Sequence, residues 1–289
     1  MATLQFGHLT VQTSSPGKVL FPKSGITKGE LVDYYRRIAD TMVPHMQGRP
    51  LSMRRFPEGI GKSGFFQQEA PDYFPDWIDR ITVDKEGGTI VHAICNSAAT
   101  LVYLANQNTV TPHVWLSRVD QLRMPDQIVF DLDPSGDDFS MVRRACRHVK
   151  EILEEHGLST FLMTTGSKGV HVRAPIEREF EFDEVRAFAR QLATELVKRY
   201  PDELTTEQRK KNRDGRIYLD VMRIAYAQTA VTPYAVRSRE GAPVATPIEW
   251  DELGRVTPQK YTIRNIFKRM GQKSDPWARM WSEARSIRT

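Results

Sequence analysis

Hydrophobic and polar positions alternate along the chain with two distinct periods. Thr27-Lys28-Gly29-Glu30 is a capping box that opens a helix through LVDYYRRIADTMV, which Pro44 is predicted to end. Residues 49–120 are richer in strand and turn signals, with a strand at TIVHAIC before a short helix at NSAATLVYLANQ. IVFDLDP (128–134) reads as a strand. From Asp138 to His156 apolar residues fall at Phe139, Val142, Ala145/Cys146, Val149 and Ile152/Leu153, the stripe of an amphipathic helix with Gly157 as its stop. TFLMTT and VHVRAP read as two strands joined by the turn Gly166-Ser167-Lys168-Gly169. A second long helix runs from about Asp183 to Tyr200, before Pro201. RIYLDVM then places Asp220 at mid-strand, TPYAVRS reads as a further strand, and the tail holds helical stretches. No internal repeat or low-complexity linker interrupts this order. It predicts an α+β fold with a mostly antiparallel sheet and flanking helices, packed with an N-terminal α/β lobe. The expected organisation is a lobe over 1–120, a core over 121–250 and a C-terminal segment over 251–289.

Composition narrows the class. With 289 residues, 40% hydrophobic and 27% charged, the composition is ordinary for a soluble globular enzyme and excludes disorder as the main state. No apolar run reaches the roughly 18–20 residues of a membrane span, and MATLQFGHLTVQTSS lacks the pattern of a secretion signal. Cys95 and Cys146 alone cannot build a disulfide framework or a cysteine-rich zinc site. A cytoplasmic protein is expected. Net charge is +5, and its placement matters more than its size. Residues 260–289 hold eight Lys/Arg against Asp275 and Glu283, and QRKKNRDGR (208–216) is a second basic cluster. Each fits a solvated surface or, through counterion release, a polyanionic partner.

Candidate chemistry begins with Asp131 and Asp133. Strand periodicity sets both on one face, with Phe130 and Leu132 on the other. Like charges this close resist ionisation unless a cation intervenes, and Asp220 repeats the pattern on a second apolar strand. Hard carboxylate oxygens suit Mg²⁺ or Mn²⁺, and two such ions about 4 Å apart can activate a hydroxyl and stabilise a leaving pyrophosphate. The alternative is that these side chains face solvent at strand ends. In TTGSKGVHV (164–172) the glycines let backbone N–H groups approach an anion, while Ser167, Lys168 and His171 add donors. It is no Walker loop, and Gly61-Lys62-Ser63 lacks the first glycine of one. Arg223, Arg237 and Arg239 follow Asp220 and could clamp phosphate oxygens.

Two families share pieces of this pattern. IVFDLDP resembles the first motif of haloacid-dehalogenase-type phosphatases, but Pro134-Ser135-Gly136 follows it about 130 residues into the chain, and Asp220 stands alone where that family has a paired acidic motif. VFDLDP, TTGSKGVHV and RIYLDVMR…TPYAVR, in that order, resemble the polymerase domain of prokaryotic DNA ligase D, a member of the archaeo-eukaryotic primase superfamily that acts in non-homologous end joining. GKVLFP, TKGELVDYY, GRPLSMRRFP and GFFQQEAP are similar to that family's amino-terminal segments, so the resemblance covers nearly the whole chain.

The resemblance implies a primase-superfamily, RRM-like catalytic sheet and a polymerase that prefers ribonucleotides. Asp131, Asp133 and Asp220 would bind two metal ions, Mn²⁺ or Mg²⁺. Ser167, Lys168 and His171 would hold the incoming NTP or dNTP, assisted by Arg223 and Arg237, with His113 near the nucleotide and Thr165 near its sugar, where members often carry Ser. Lys18 and Lys28 would read a recessed 5′-phosphate on gapped DNA, Phe65 and Phe66 would stack on the DNA beside Arg54 and Arg55, and Arg213 would help organise the template. Val221-Met222 is more apolar than the residues that commonly follow the third aspartate. No ligase or nuclease segment lies within the sequence. The expectation is therefore a nucleoid-associated polymerase working with a separate DNA ligase and the end-binding protein Ku, or a domain of a longer protein. A non-catalytic DNA-end-binding scaffold is the remaining alternative.

Overall fold

The computed structural model describes residues 2–134, 136 and 138–287. Ser135 of the Pro134-Ser135-Gly136 segment lies outside them. The chain forms two compact units: Met1–Trp115 with Thr229–Ala245 and Tyr261–Phe267, and Leu116–Gln228 with Thr246–Lys260 and Lys268–Thr289.

In the first unit, helix α1 (Lys28–Met46) begins at the predicted capping box, with Thr27 Oγ1 accepting from Glu30 N at 3.2 Å and Glu30 Oε2 accepting from Thr27 N at 2.8 Å. Pro44 does not end it. Proline lacks a donor but not an acceptor, so in the last turn it forfeits a single bond, and Gln47 N still reaches Val43 O at 3.0 Å. Helix α2 (Ala98–Asn106), N-capped by Ser97, packs against α1. An antiparallel sheet runs in the order Thr229–Val231, Thr109–Trp115, Leu51–Arg55, Phe65–Gln67. TPYAVRS forms no strand. Pro233 cannot donate to a ladder and Tyr234 sits at φ 65°, so the segment turns there, leaving an isolated bridge from Val236 to Val244; the strand is Thr229–Val231 instead.

The second unit is built on six strands, in the order Leu204–Thr205, Ile217–Asp220, Gln127–Asp133, Val170–Pro175, Phe161–Thr164, Thr246–Ile248. All neighbours are antiparallel except the first pair. Helices α3 (Phe139–Glu155) and α4 (Phe182–Arg199) pack on this sheet. The stripe Val142, Ala145, Cys146, Val149, Ile152 and Leu153 is buried as predicted, and Asp138 caps the start of α3. Phe130, Leu132, Val170 and Val172 are wholly buried, which leaves the alternate residues Asp131, Asp133 and His171 on the opposite face. Asp220 is the last residue of its strand rather than its middle, because Met222 and Arg223 already turn away.

Candidate active site

Strand register assembles the site. Asp131 sits directly opposite Asp220 on one side and His171 on the other, so three strands contribute one row of side chains. Asp133 lies two residues along the same face, opposite Tyr218. Carboxylates facing each other across an antiparallel pair are destabilising without a counter-charge. Neighbours already act on them: His171 Nε2 lies 3.4 Å from Asp131 Oδ2, Asp220 Oδ1 accepts from Met222 N at 2.8 Å, and Tyr218 Oη lies 3.5 Å from the same oxygen. Tyr218 is buried beside Asp220, and burial together with that carboxylate pushes its phenol up to about 12. Among the described residues no three His, Cys, Asp or Glu side chains already enclose a metal position. The donor set nevertheless fits a hard divalent cation in kind, being carboxylate oxygens on one face of adjacent strands. With the backbones already adjacent, gathering the oxygens is a matter of side-chain torsions.

The Gly166–Gly169 turn sits beside this row, and its interior is more self-contained than the sequence suggests. Thr165 is buried; its Oγ1 donates to Gly169 O at 3.0 Å and accepts from Ser167 N and Gly169 N at 3.2 Å each. Two of the N–H groups expected to face an anion are thus turned inward, and the Thr165 hydroxyl is engaged in shaping the turn. Lys168 is exposed at the tip and Ser167 half-exposed, so both side chains reach the surface of the turn. Gly169 has a reason apart from turn conformation: a Cβ there would come within 2.6 Å of Asp133 Oδ1 and closer still to Leu132 O. Only glycine lets the turn lie this tightly against the acidic strand.

Arg213 is held rather than free. Its guanidinium donates to Glu207 O at 3.1 Å and Gln208 O at 2.7 Å and lies 4.3 Å from the Tyr218 ring centroid, so the basic loop is tied to the strand that carries Asp220. Arg223 is exposed in the turn just after Asp220.

The remaining candidate residues belong to the first unit. Lys28 is buried in the first turn of α1, 3.1 Å from Ser14 Oγ; burial, and then the neighbouring Lys18 charge, lowers its pKa from the ordinary lysine value. Lys18 lies 3.5 Å from Glu58. Phe65 and Phe66 are among the few exposed large hydrophobic side chains, on the edge strand of that sheet. They point to opposite sides, Phe66 towards Arg54 (4.8 Å) and His113 (5.4 Å), Phe65 towards Arg55 (5.8 Å). Arg237 follows a segment pinned by α1: Tyr34 Oη donates to Tyr234 O at 2.7 Å, and Tyr35 Oη accepts from Val236 N at 3.0 Å.

Known proteins share this fold. The family model described as LigD, primase-polymerase domain, matches residues 27–277. The chain belongs to that family. It is 32% identical over 273 residues to the bifunctional non-homologous end joining protein LigD of Bacillus subtilis, covering 93% of this chain and 44% of the relative. The multifunctional LigD of Mycolicibacterium smegmatis is 31% identical over 95% of the chain and 36% of its own length. The chain thus spans less than half of these relatives. The polymerase domain of Mycobacterium tuberculosis ligase D, solved in complex with DNA, superposes with a TM-score of 0.88 at 29% identity, covering 95% of this chain and 99% of that one.

The LigD primase-polymerase family makes the chain a nucleotidyltransferase, and the phosphatase resemblance of IVFDLDP ends with that motif. Around the acidic row, sequence reasoning passed over Tyr218, Arg173 and Gln127. Arg173 carried a usable signal: an arginine at i+2 from His171, on the same face of an apolar strand, needs a buried partner. Tyr218 and Gln127 carried none, since their positions matter only through cross-strand neighbours.

Proposed function

We propose that this chain is a DNA-dependent polymerase that extends 3′ ends and fills short gaps at double-strand breaks, preferring ribonucleotides. The observation that carries this reading is the His171–Asp131–Asp220 row, with Asp133 and the Ser167-Lys168 turn beside it, in a chain of the LigD polymerase family. Its substrates would be NTP or dNTP and DNA with a 5′-phosphorylated gap, break or overhang. In the cell it would act at the nucleoid with Ku and a DNA ligase, in keeping with the end-joining names of its relatives.

Asp131, Asp133 and Asp220 would hold two divalent cations, Mg²⁺ or Mn²⁺, which when bound supply charge neutralisation for the attacking and leaving oxygens. Lys168 and Ser167 offer outward donors to the triphosphate, and His171 offers a ring N–H at the edge of the acidic row. Arg223 stands in the turn just beyond. Together these groups would hold the α-phosphate in line with a primer 3′-hydroxyl, so that positioning and electrostatics carry the rate. In the first unit Lys18 and Lys28 would take the 5′-phosphate, with Phe65 and Phe66 offering stacking faces.

Primer extension on a gapped duplex, with and without a 5′-phosphate and with rNTP or dNTP, tests the reading. Wild type should extend in Mn²⁺ and favour ribonucleotides, and Asp131→Ala should abolish synthesis while leaving DNA binding largely intact. Extension by Asp131→Ala at the wild-type level would sink the assignment.

A further inference from the structure

Behind the acidic row lies a buried polar chain that the proposed chemistry does not itself require. Arg173 is only 1% exposed. It lies on the His171 strand two residues on, on the same face, opposite Val129 of the acidic strand. One guanidinium nitrogen donates to Gln127 Oε1 at 3.0 Å, another lies 3.1 Å from His171 Nδ1, and the group stands 5.3 Å from the Trp277 ring centroid. Gln127 is itself 2% exposed, next to the buried Asp126, which Arg118 holds at 3.0 Å. A guanidinium costs several kcal/mol to bury, so its placement against the nucleotide-side histidine calls for a reason.

That reason follows from donor chemistry. Arginine has five N–H groups, no acceptor, and no neutral form in proteins. A neutral imidazole carries its proton on one nitrogen and a lone pair on the other. The nitrogen facing a guanidinium N–H must present the lone pair, so Nδ1 is the acceptor and the proton resides on Nε2. Nε2 is the atom 3.4 Å from Asp131 Oδ2. The same bond blocks a ring flip, which would turn carbon towards the guanidinium. We propose that Arg173 is a positioning residue that locks His171 as its Nε2–H tautomer. An N–H donor then faces Asp131 and, on the functional reading above, a triphosphate oxygen of the incoming nucleotide. In the other tautomer a lone pair would face an anion, and the contact would turn from attractive to repulsive.

The experiment combines ring ¹⁵N NMR with steady-state kinetics on the full chain. In histidine-labelled protein, above the ordinary imidazole pKa, the His171 signals (assigned by their loss in His171→Gln) should show a protonated Nε2 and an unprotonated Nδ1. Arg173→Met should convert this to a tautomer mixture and raise the KM for the nucleotide roughly tenfold, the scale of one charge-assisted hydrogen bond. kcat should move less. Arg173→Lys, which keeps a donor, should restore the single tautomer and most of the KM. A wild-type ring protonated on Nδ1, or a mixture already present in wild type, overturns the proposal without any variant having to fold. An Arg173→Met tautomer change with KM unmoved overturns the positioning role. A wild type inactive on every primed substrate would overturn the functional reading instead, leaving the tautomer result standing.

Discussion

At the scale of single residues, what a hydroxyl or a hydrogen atom does is decided by its neighbours. Thr165 illustrates this. Its family resemblance places it near the sugar, whereas its Oγ1 makes three bonds inside the turn. Thr165→Val keeps the shape but leaves Ser167 N and Gly169 N without that acceptor, which should cost about 1–3 kcal/mol of stability for each buried group left unpaired. Thr165→Ser retains the oxygen and should be close to wild type. Thermal unfolding checks the stability, and the ratio of rNTP to dNTP incorporation by Thr165→Ser checks the role: an unchanged ratio assigns Thr165 to the turn, a changed one to the sugar. Gly169 and Arg173 make the same point, one through the atom it lacks, the other through having donors only.

At the scale of elements, α1 carries a tension that an anion would relieve. Lys28 occupies the first turn of the helix, where the macrodipole disfavours a cation. It is also buried, and its backbone N bonds to Lys18 O at 2.7 Å, so that two lysines share one corner. Desolvation is the leading cause of its lowered pKa, with the Lys18 charge second. Removing the charge while keeping the length should stabilise the fold. We expect Lys28→Met to raise Tm by roughly 2–4 °C, the shift of about 1 kcal/mol in a chain of this size. The same variant should lose the preference for a 5′-phosphate in gap binding, measured by anisotropy on phosphorylated and unphosphorylated duplexes. An equal loss on both duplexes would separate Lys28 from phosphate recognition.

At the scale of the whole molecule, neither unit is a continuous stretch of chain. Thr229–Val231 completes the sheet of the first unit, and Tyr234 and Val236 supply partners to the buried hydroxyls of Tyr34 and Tyr35. Thr111 Oγ1 likewise donates to Val236 O at 2.6 Å. A fragment of residues 1–115 would keep its helices but expose the Thr109–Trp115 edge and remove the acceptors of the Tyr34 and Thr111 hydroxyls, while Tyr35 Oη would keep Val110 O. We expect no cooperative thermal transition from it. A sharp transition by circular dichroism would show that the lobe folds without the returning segment.

Much of this was written in the sequence. The Thr27–Glu30 capping box, the α3 stripe, the alternation of IVFDLDP and the glycines of the turn are local signals, set by steric limits and by neighbours within a few residues. They yielded the long helices, the acidic strand and the motifs that carry the family resemblance. Local signals misplaced the end of α1, where one missing bond was too little to stop a helix, and read a strand into TPYAVRS. Only tertiary structure decided which residues face one another. The Asp131–Asp220 and Asp131–His171 pairs, the closeness of Gly169 to Asp133 and the bond from Arg173 to Nδ1 each join residues far apart in the chain or fix an orientation within it. Strand register and packing set those distances, and no short stretch of sequence encodes them.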